Sequence, residues 1–282
     1  MGARKSSADG FSGAVVVVTG AGSGIGRATA RRFSRLGAKV HLADLDVEAA
    51  RRVRAEIERE GGAAVEHAVD TTDPAALEDL AERIFAEDGR VDVLHNNAGV
   101  GHAGATVDTT VEDWQKVIGV NLLGVAYGVQ AFVPRMLRQG APASVVNTAS
   151  GLGLVPAARM APYCTSKYGV VGMTEALNAE LAPQGIHFSA ICPGIIDTAI
   201  TRTATMRGAL GNQQGAAVDF YRRRGASADD VAEAVIEAVR KRKLIQPVPA
   251  LHVTPGWLLH RLSARITQPI SRRMVGLMLS RR

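Results

Sequence analysis

Short apolar runs alternate along this chain with longer stretches in which apolar residues return every three or four positions. Ala14 to Thr19 (AVVVVT) is continuous, β-branched and apolar, as strands covered on both faces are. Lys39 to Ala43, Ala64 to Val69, Val91 to His95, Ser144 to Thr148, His187 to Cys192 and Leu244 to Val248 supply six more such runs. The segments between them predict helices: one with Ala28, Phe33 and Leu36 on one side, then Val47–Glu60, Pro74–Glu87, one long helix Val111–Leu137, Ala161–Leu181, and Ala228–Arg242 capped by Ser227. This alternation predicts βαβ units, hence an α/β fold with a Rossmann-like, doubly wound, parallel seven-stranded sheet flanked by helices. Residues 13–250 form that single domain, residues 1–12 a flexible arm, and residues 251–282 a basic helical extension. Ile200 to Gly225 has no strand character and reads as a loop or short helices over a site.

Composition is that of a globular chain, with 46% apolar and 21% charged residues in 282. Charge is unevenly spread. From Arg240 onward there are ten Lys or Arg and no Asp or Glu, which leaves 23 basic against 27 acidic groups before it, a net of −4. A mildly acidic body argues against nucleic acid as a partner and places the charge question in the tail. Two cysteines, Cys164 and Cys192, make no disulfide framework and suit a reduced, cytoplasmic setting. The opening MGARKSSADG has no apolar core, so it reads as neither a secretory signal nor a membrane span.

Three stretches carry chemistry. Gly20, Gly24 and Gly26 stand between the first strand and the first helix, where backbone N–H groups and the helix dipole can meet phosphate. Asp44 ends the second strand, 18 residues after Gly26. A carboxylate there can accept hydrogen bonds from both adenosine ribose hydroxyls and repels a 2′-phosphate. Neither Ser23 in the turn nor Leu45 after Asp44 is the basic residue that such a phosphate needs, so NAD is favoured over NADP. Tyr163 and Lys167 lie four residues apart on one helix face, and the ammonium favours phenolate. Ser150 ends the preceding strand and can aim its hydroxyl at the same point. No cluster of metal ligands is apparent.

With these pieces in order the chain resembles the short-chain dehydrogenase/reductase family, of the compact single-domain type. TGAGSGIG (Thr19–Gly26), NNAG (Asn96–Gly99) and PGIIDT (Pro193–Thr198) match its motifs. By that resemblance Asn121, Ser150, Tyr163 and Lys167 are the catalytic four: Tyr163 moves the proton, Lys167 supports it, Ser150 holds the substrate oxygen, and Asn121 holds a relay water. Cofactor contacts are implied at Gly20, Ser23, Gly24, Ile25, Gly26, Asp44, Asp70, Thr71, Asn97, Ala98, Gly99, Tyr163, Lys167, Pro193, Gly194, Ile196 and Thr198. Asp70 would meet the adenine amino group, and Thr198 with the Ile196 backbone the nicotinamide carboxamide. The resemblance also implies a homo-oligomer, a dimer or tetramer, built through helices 111–137 and 161–181. His95 and Ala149 depart from the usual motif residues without touching a catalytic role.

The implied reaction interconverts a secondary alcohol and a ketone. Residues near Gly101–Gly104, Gly151–Met160, Ile195 and 200–225 would line a mainly apolar pocket, with His102 and Arg159 as polar contacts. Such a lining favours a hydrophobic small-molecule substrate of steroid, terpenoid or lipid type. An NADP-linked carbonyl or 3-ketoacyl reductase and a non-catalytic NAD sensor are the rival readings. In the tail, Trp257, Leu258, Leu262 and Ile266, then Ile270, Met274 and Leu277, recur at helical intervals, with Pro269 expected to separate two short helices. Two readings stay open: an amphipathic anchor on anionic lipid, or helices packed on the body or a neighbouring subunit, where they would close the pocket.

Overall fold

A computed structural model describes residues 10–279; most of the expected N-terminal arm, residues 1–9, and the last three residues lie outside it, as do the side chains of Ile270, Met274 and Leu277. In chain order the elements are β1 (Val15–Thr19), α1 (Gly24–Arg35), β2 (Lys39–Asp44), α2 (Val47–Arg59), β3 (Ala63–Ala68), α3 (Pro74–Asp88), β4 (Val93–Asn96), β5 (His102–Ala103), α4 (Val111–Ile118) and α5 (Gly124–Arg138). There follow β6 (Ala143–Thr148), α6 (Ala161–Leu181), β7 (Ile186–Pro193), α7 (Ile200–Thr203), β8 (Thr205–Met206), α8 (Gln214–Arg224), α9 (Ala228–Lys241), β9 (Ile245–Val248), α10 (Ala250–Leu262) and α11 (Ala264–Leu279).

Seven strands form one parallel sheet in the order β3-β2-β1-β4-β6-β7-β9. The order reverses between β1 and β4, so the crossovers after those two strands leave on opposite faces. A crevice therefore opens at their C-terminal ends. Cores fill both faces. Val16, Val18, Phe33, Leu42 and Ile57 pack with Val231 and Val235 on one side. Val17, Leu77, Leu80, Leu94 and Phe132 pack with Phe188 on the other. Alternate residues of β1 thus serve opposite cores, which is why its whole run is apolar.

Local signals explain most helix ends. Asp46 and Asp73 cap α2 and α3 by accepting from Ala49 N and Ala75 N. Thr110–Asp113 and Ser227–Asp230 form capping boxes on α4 and α9. Two expectations change. The helix expected as one piece over Val111–Leu137 is interrupted by a π-helical turn, Gly119–Leu123, which holds the buried Asn121. In the tail the break falls at Ser263, not at Pro269, which lies inside α11. Ser263 is extended and its hydroxyl accepts from Arg265 N, so it stops α10 and starts the next helix, whereas α11 runs on past Pro269.

A second polar cluster sits away from the crevice. His41 joins His67 at 2.9 Å and Asp88 at 2.8 Å, and Lys39 reaches Asp88 at 2.8 Å. Burial pushes His41 down despite Asp88, and burial together with His41 pushes His67 down to about 4. Both rings must charge on unfolding in acid. Their stabilising contribution is present above their ordinary value of 6.5 and is lost as pH falls from there toward about 4. The thermal midpoint should therefore fall across that interval. His67→Gln should flatten the fall; an unchanged pH slope in that variant would show that the pair is not its source.

Candidate active site

The crevice is a single cavity of about 1360 Å³ reaching from Asp44 and Asp70 to Ser150 and Tyr163. At one end β1 turns into α1. Gly20 adopts φ +63°, and a Cβ there would meet the Ala98 backbone at 2.9 Å, so only glycine lets the two strand ends approach. Thr19 Oγ1 accepts from Asn97 N (2.9 Å) and Ala98 N (3.1 Å), while Asn97 Nδ2 donates to Thr19 O (3.0 Å). These bonds tie NNAG to the glycine turn. Ser23 begins α1 without a side-chain cap, and no acidic residue occupies the first turn. Together with Ser23, Gly24 and Ile25 lining the cavity, this leaves the positive end of α1 facing it.

Asp44 Oδ2 accepts from Gly22 N at 2.8 Å and Oδ1 from Asp46 N at 2.9 Å. The carboxylate is thereby fixed at the cavity wall beside the exposed Leu45. Asp70 is held likewise, by Thr72 N at 2.8 Å and Thr72 Oγ1 at 2.7 Å. Across the cavity Thr198 approaches the glycine turn: a Cβ on Gly24 would lie 3.4 Å from Thr198 Cβ. Uncapped helix end, fixed carboxylate and facing threonine suit a dinucleotide.

At the other end α6 carries Tyr163 and Lys167. The Lys167 ammonium lies 5.8 Å from the Tyr163 ring centre and donates to Thr148 O at 2.8 Å. Only 3% of Lys167 is exposed, and burial pushes it down to about 8. Burial also raises the Tyr163 phenol well above its ordinary value, with a hydrogen bond from Ser150 opposing the rise. Desolvation of the phenolate thus outweighs the expected pull of Lys167. Ser150 Oγ accepts from Leu152 N at 3.1 Å and lies 3.5 Å from Pro193 O.

Of the residues anticipated for cofactor and catalysis, Gly20, Ser23, Gly24, Ile25, Asp44, Asp70, Thr71, Asn97, Ala98, Gly99, Ser150, Tyr163, Lys167, Pro193, Gly194, Ile196 and Thr198 all line the cavity. Gly26 and Asn121 do not. Gly26 is buried where a Cβ would fall 2.1 Å from Gly20 O, so it serves helix–strand packing. Asn121 is fully buried; Oδ1 accepts from Val100 N at 2.7 Å, and Nδ2 donates to Val100 O at 2.9 Å and Ser166 Oγ at 3.3 Å. It braces the backbone after NNAG from behind. A Cβ on Gly99 would meet Asn121 Oδ1 at 3.2 Å and Lys167 Nζ at 3.6 Å, which places both against the end of NNAG.

The substrate end also differs from expectation in part. His102 lines the cavity, whereas Arg159 is exposed, outside it, with φ +60° and its carbonyl accepting from Gly104 N at 2.8 Å. Residues 200–225 do cover the site. β8 pairs with β5, and Arg207 clamps Asp113 with bonds of 2.9 and 2.8 Å. Sequence reading missed Phe220 and Tyr221 as individual lining residues, and His252, Val253, Gly256 and Thr267 of the tail. The inner face of α10 rests on the site: Cβ atoms on Gly151 and Gly194 would meet Val253 at 3.1 and 3.2 Å. Helical spacing of Val253, Gly256 and Trp257 was the one available signal. Cys164 and Cys192 are buried and free, and burial raises both thiols, which keeps them inert.

Comparison with known proteins agrees with this architecture. Residues 14–207 match the family model for short chain dehydrogenase. The "probable oxidoreductase EphD" of Mycobacterium tuberculosis is 39% identical over 244 residues, covering 84% of this chain. The chain spans 41% of that relative's own length. Meso-2,3-butanediol dehydrogenase of Serratia marcescens is 38% identical over 191 residues, 68% of this chain and 74% of that protein. A solved short chain dehydrogenase/reductase from Burkholderia phymatum, in complex with NAD, superposes with a TM-score of 0.83 at 33% identity, covering 93% of this chain and 96% of that one. A parallel sheet with its crevice at the strand-order reversal, the ordered motifs around it and the match over most of the chain make this protein a member of the short-chain dehydrogenase/reductase family of oxidoreductases.

Proposed function

We propose that this protein is an NAD-dependent dehydrogenase interconverting a hydrophobic secondary alcohol and its ketone. One observation carries the reading: Ser150, Tyr163 and Lys167 converge at one end of a cavity whose other end holds a fixed carboxylate, Asp44. A bound nicotinamide dinucleotide would supply hydride acceptance or donation and, when oxidised, a positive charge beside the phenol. Ser150 would hold the substrate oxygen, and Tyr163 Oη would take the hydroxyl proton in oxidation or return it in reduction. Lys167, anchored on Thr148 O, would bind the nicotinamide ribose and favour the phenolate by its positive charge. Asn121 keeps one Oδ1 lone pair beyond its bond from Val100 N, which could accept from a water that leads protons onward. The uncapped start of α1 would hold pyrophosphate, Asp70 the adenine, and Thr198 the carboxamide.

Asp44 supports NAD over NADP. Its two oxygens are oriented by backbone N–H groups, and a 2′-phosphate would bring a second anion against it. NADH formation across an alcohol panel, with NAD and NADP in parallel, tests the proposal. NAD should be preferred at least about tenfold in kcat/KM, or 1.4 kcal/mol. Asp44→Ala should erase most of that preference, and a native preference for NADP would refute the assignment. Ile195, Met206 and Val253 on the cavity wall support a hydrophobic alcohol; polyols outperforming it would reject that class. Exposed Val111, Trp114 and Leu123 on the α4–α5 helix, with Tyr168 on α6, support homo-oligomerisation through those helices.

A further inference from the structure

Helix α10 is apolar on two opposite faces, and the body of the protein accounts for one. Val253 and Trp257 pack with Leu154, Val170 and Cys192, and Val253 and Gly256 line the cavity. On the other side Leu251, Pro255, Leu258 and Leu262 follow one another by four-, three- and four-residue steps, which puts them in a single stripe along the helix. That stripe faces outward: Leu251 is 87% exposed, Leu258 56% and Leu262 80%, and Ile266 at the start of α11 continues it at 51%. None of these residues belongs to the core clusters of the described residues.

The charges beside the stripe select the occupant. Arg261, Arg265 and Arg272 flank it, and among the described residues none of the three forms an ion pair. No Asp or Glu occurs from Arg240 to the end of the chain. A second copy docked on the same patch about a two-fold axis would set arginine against arginine with no carboxylate of the patch to relieve it. A surface of phosphate headgroups over hydrocarbon complements both features at once. We propose that the outer face of α10, with the start of α11, docks on an anionic lipid bilayer. Leu258 and Leu262 would enter the headgroup–acyl boundary, and the arginines would lie among phosphates. Docking would bring a wall of the cavity next to the membrane; that coupling, unlike the docking itself, rests on the hydrophobic-alcohol reading above.

Co-sedimentation of the full chain with vesicles reads the docking without any substrate. Vesicles of phosphatidylcholine with phosphatidylglycerol should carry the protein down, and phosphatidylcholine alone should carry far less. Leu258→Asp with Leu262→Asp should lower partitioning at least about tenfold, and Arg261→Gln with Arg265→Gln should remove the preference for phosphatidylglycerol. Thermal midpoints near the parent value would establish that both variants are folded. Three results would overturn the proposal: no sedimentation with either vesicle, unchanged partitioning in the leucine variant, or a leucine variant whose mass in light scattering falls to a fraction of the parent's. The last would assign the face to a second copy.

Discussion

Tyr163→Phe is expected to lower kcat at least about a hundredfold, the lower end of what a positioned acid or base contributes. Phenylalanine preserves the ring, its volume and its packing, so the fold should be unchanged. Lys167 should also stay in place, because its ammonium is anchored on Thr148 O at 2.8 Å and needs no bond from the phenol. The loss should fall on turnover, with NADH affinity changed less than about threefold, or 0.65 kcal/mol. Steady-state kinetics and fluorescence titration of NADH separate the two. A variant that kept more than about a tenth of kcat, a loss below 1.4 kcal/mol, would disprove the acid/base assignment. The burial that raises the Tyr163 phenol gives this test a further point. A phenol so desolvated is a poor base until an added positive charge reaches it, so its action should depend on bound oxidised cofactor.

The second large effect concerns stability. Gly26→Ala would put a Cβ 2.1 Å from Gly20 O and 2.7 Å from Asn97 Nδ2, far inside contact distance. Neither neighbour is the loose end of a flexible side chain: one is backbone, the other bonded to Thr19 O. The helix must move off the sheet, at about 3 kcal/mol, the upper end for overpacking. For a chain of this size that is roughly a 6–12 °C drop in thermal midpoint. Gly172→Ala is the control, since a Cβ there meets nothing within 4 Å and the residue lies within a helix. It should stabilise the protein by about 0.5–1 kcal/mol. Scanning calorimetry of the two variants decides it; equal midpoints would mean that the α1–β1 approach is not tight.

These cases show where reading along the chain succeeds and where it stops. Strand β1 was legible because a strand buried on both faces is apolar along its run, and β2 and β6 because short apolar runs (Val40, Leu42 and Ala43; Val145 and Val146) stand between helical periods. Asp44 was legible from its place at a strand end after a glycine turn, and Tyr163 with Lys167 from a four-residue spacing that any helix converts into one face. All are local geometry. The roles of Gly26 and Asn121 were not legible, since each depends on what lies behind it: Gly20 O for one, Val100 across 21 residues for the other.

The tail makes the same division. Its charge and apolar period were plain in sequence, and both readings of it rested on them. That α10 caps the cavity with Val253 and Gly256 while turning Leu251, Leu258 and Leu262 outward was decided by packing. So was the direction of the Tyr163 shift: an ammonium four residues away is written in the sequence, but the desolvation that outweighs it exists only once the sheet, α6 and the covering segments have closed around the phenol. By itself, then, the sequence determined the parallel α/β sheet, the dinucleotide crevice and the residue types that could act there. Tertiary structure alone decided which of them face the cavity, because burial is set by elements far apart along the chain.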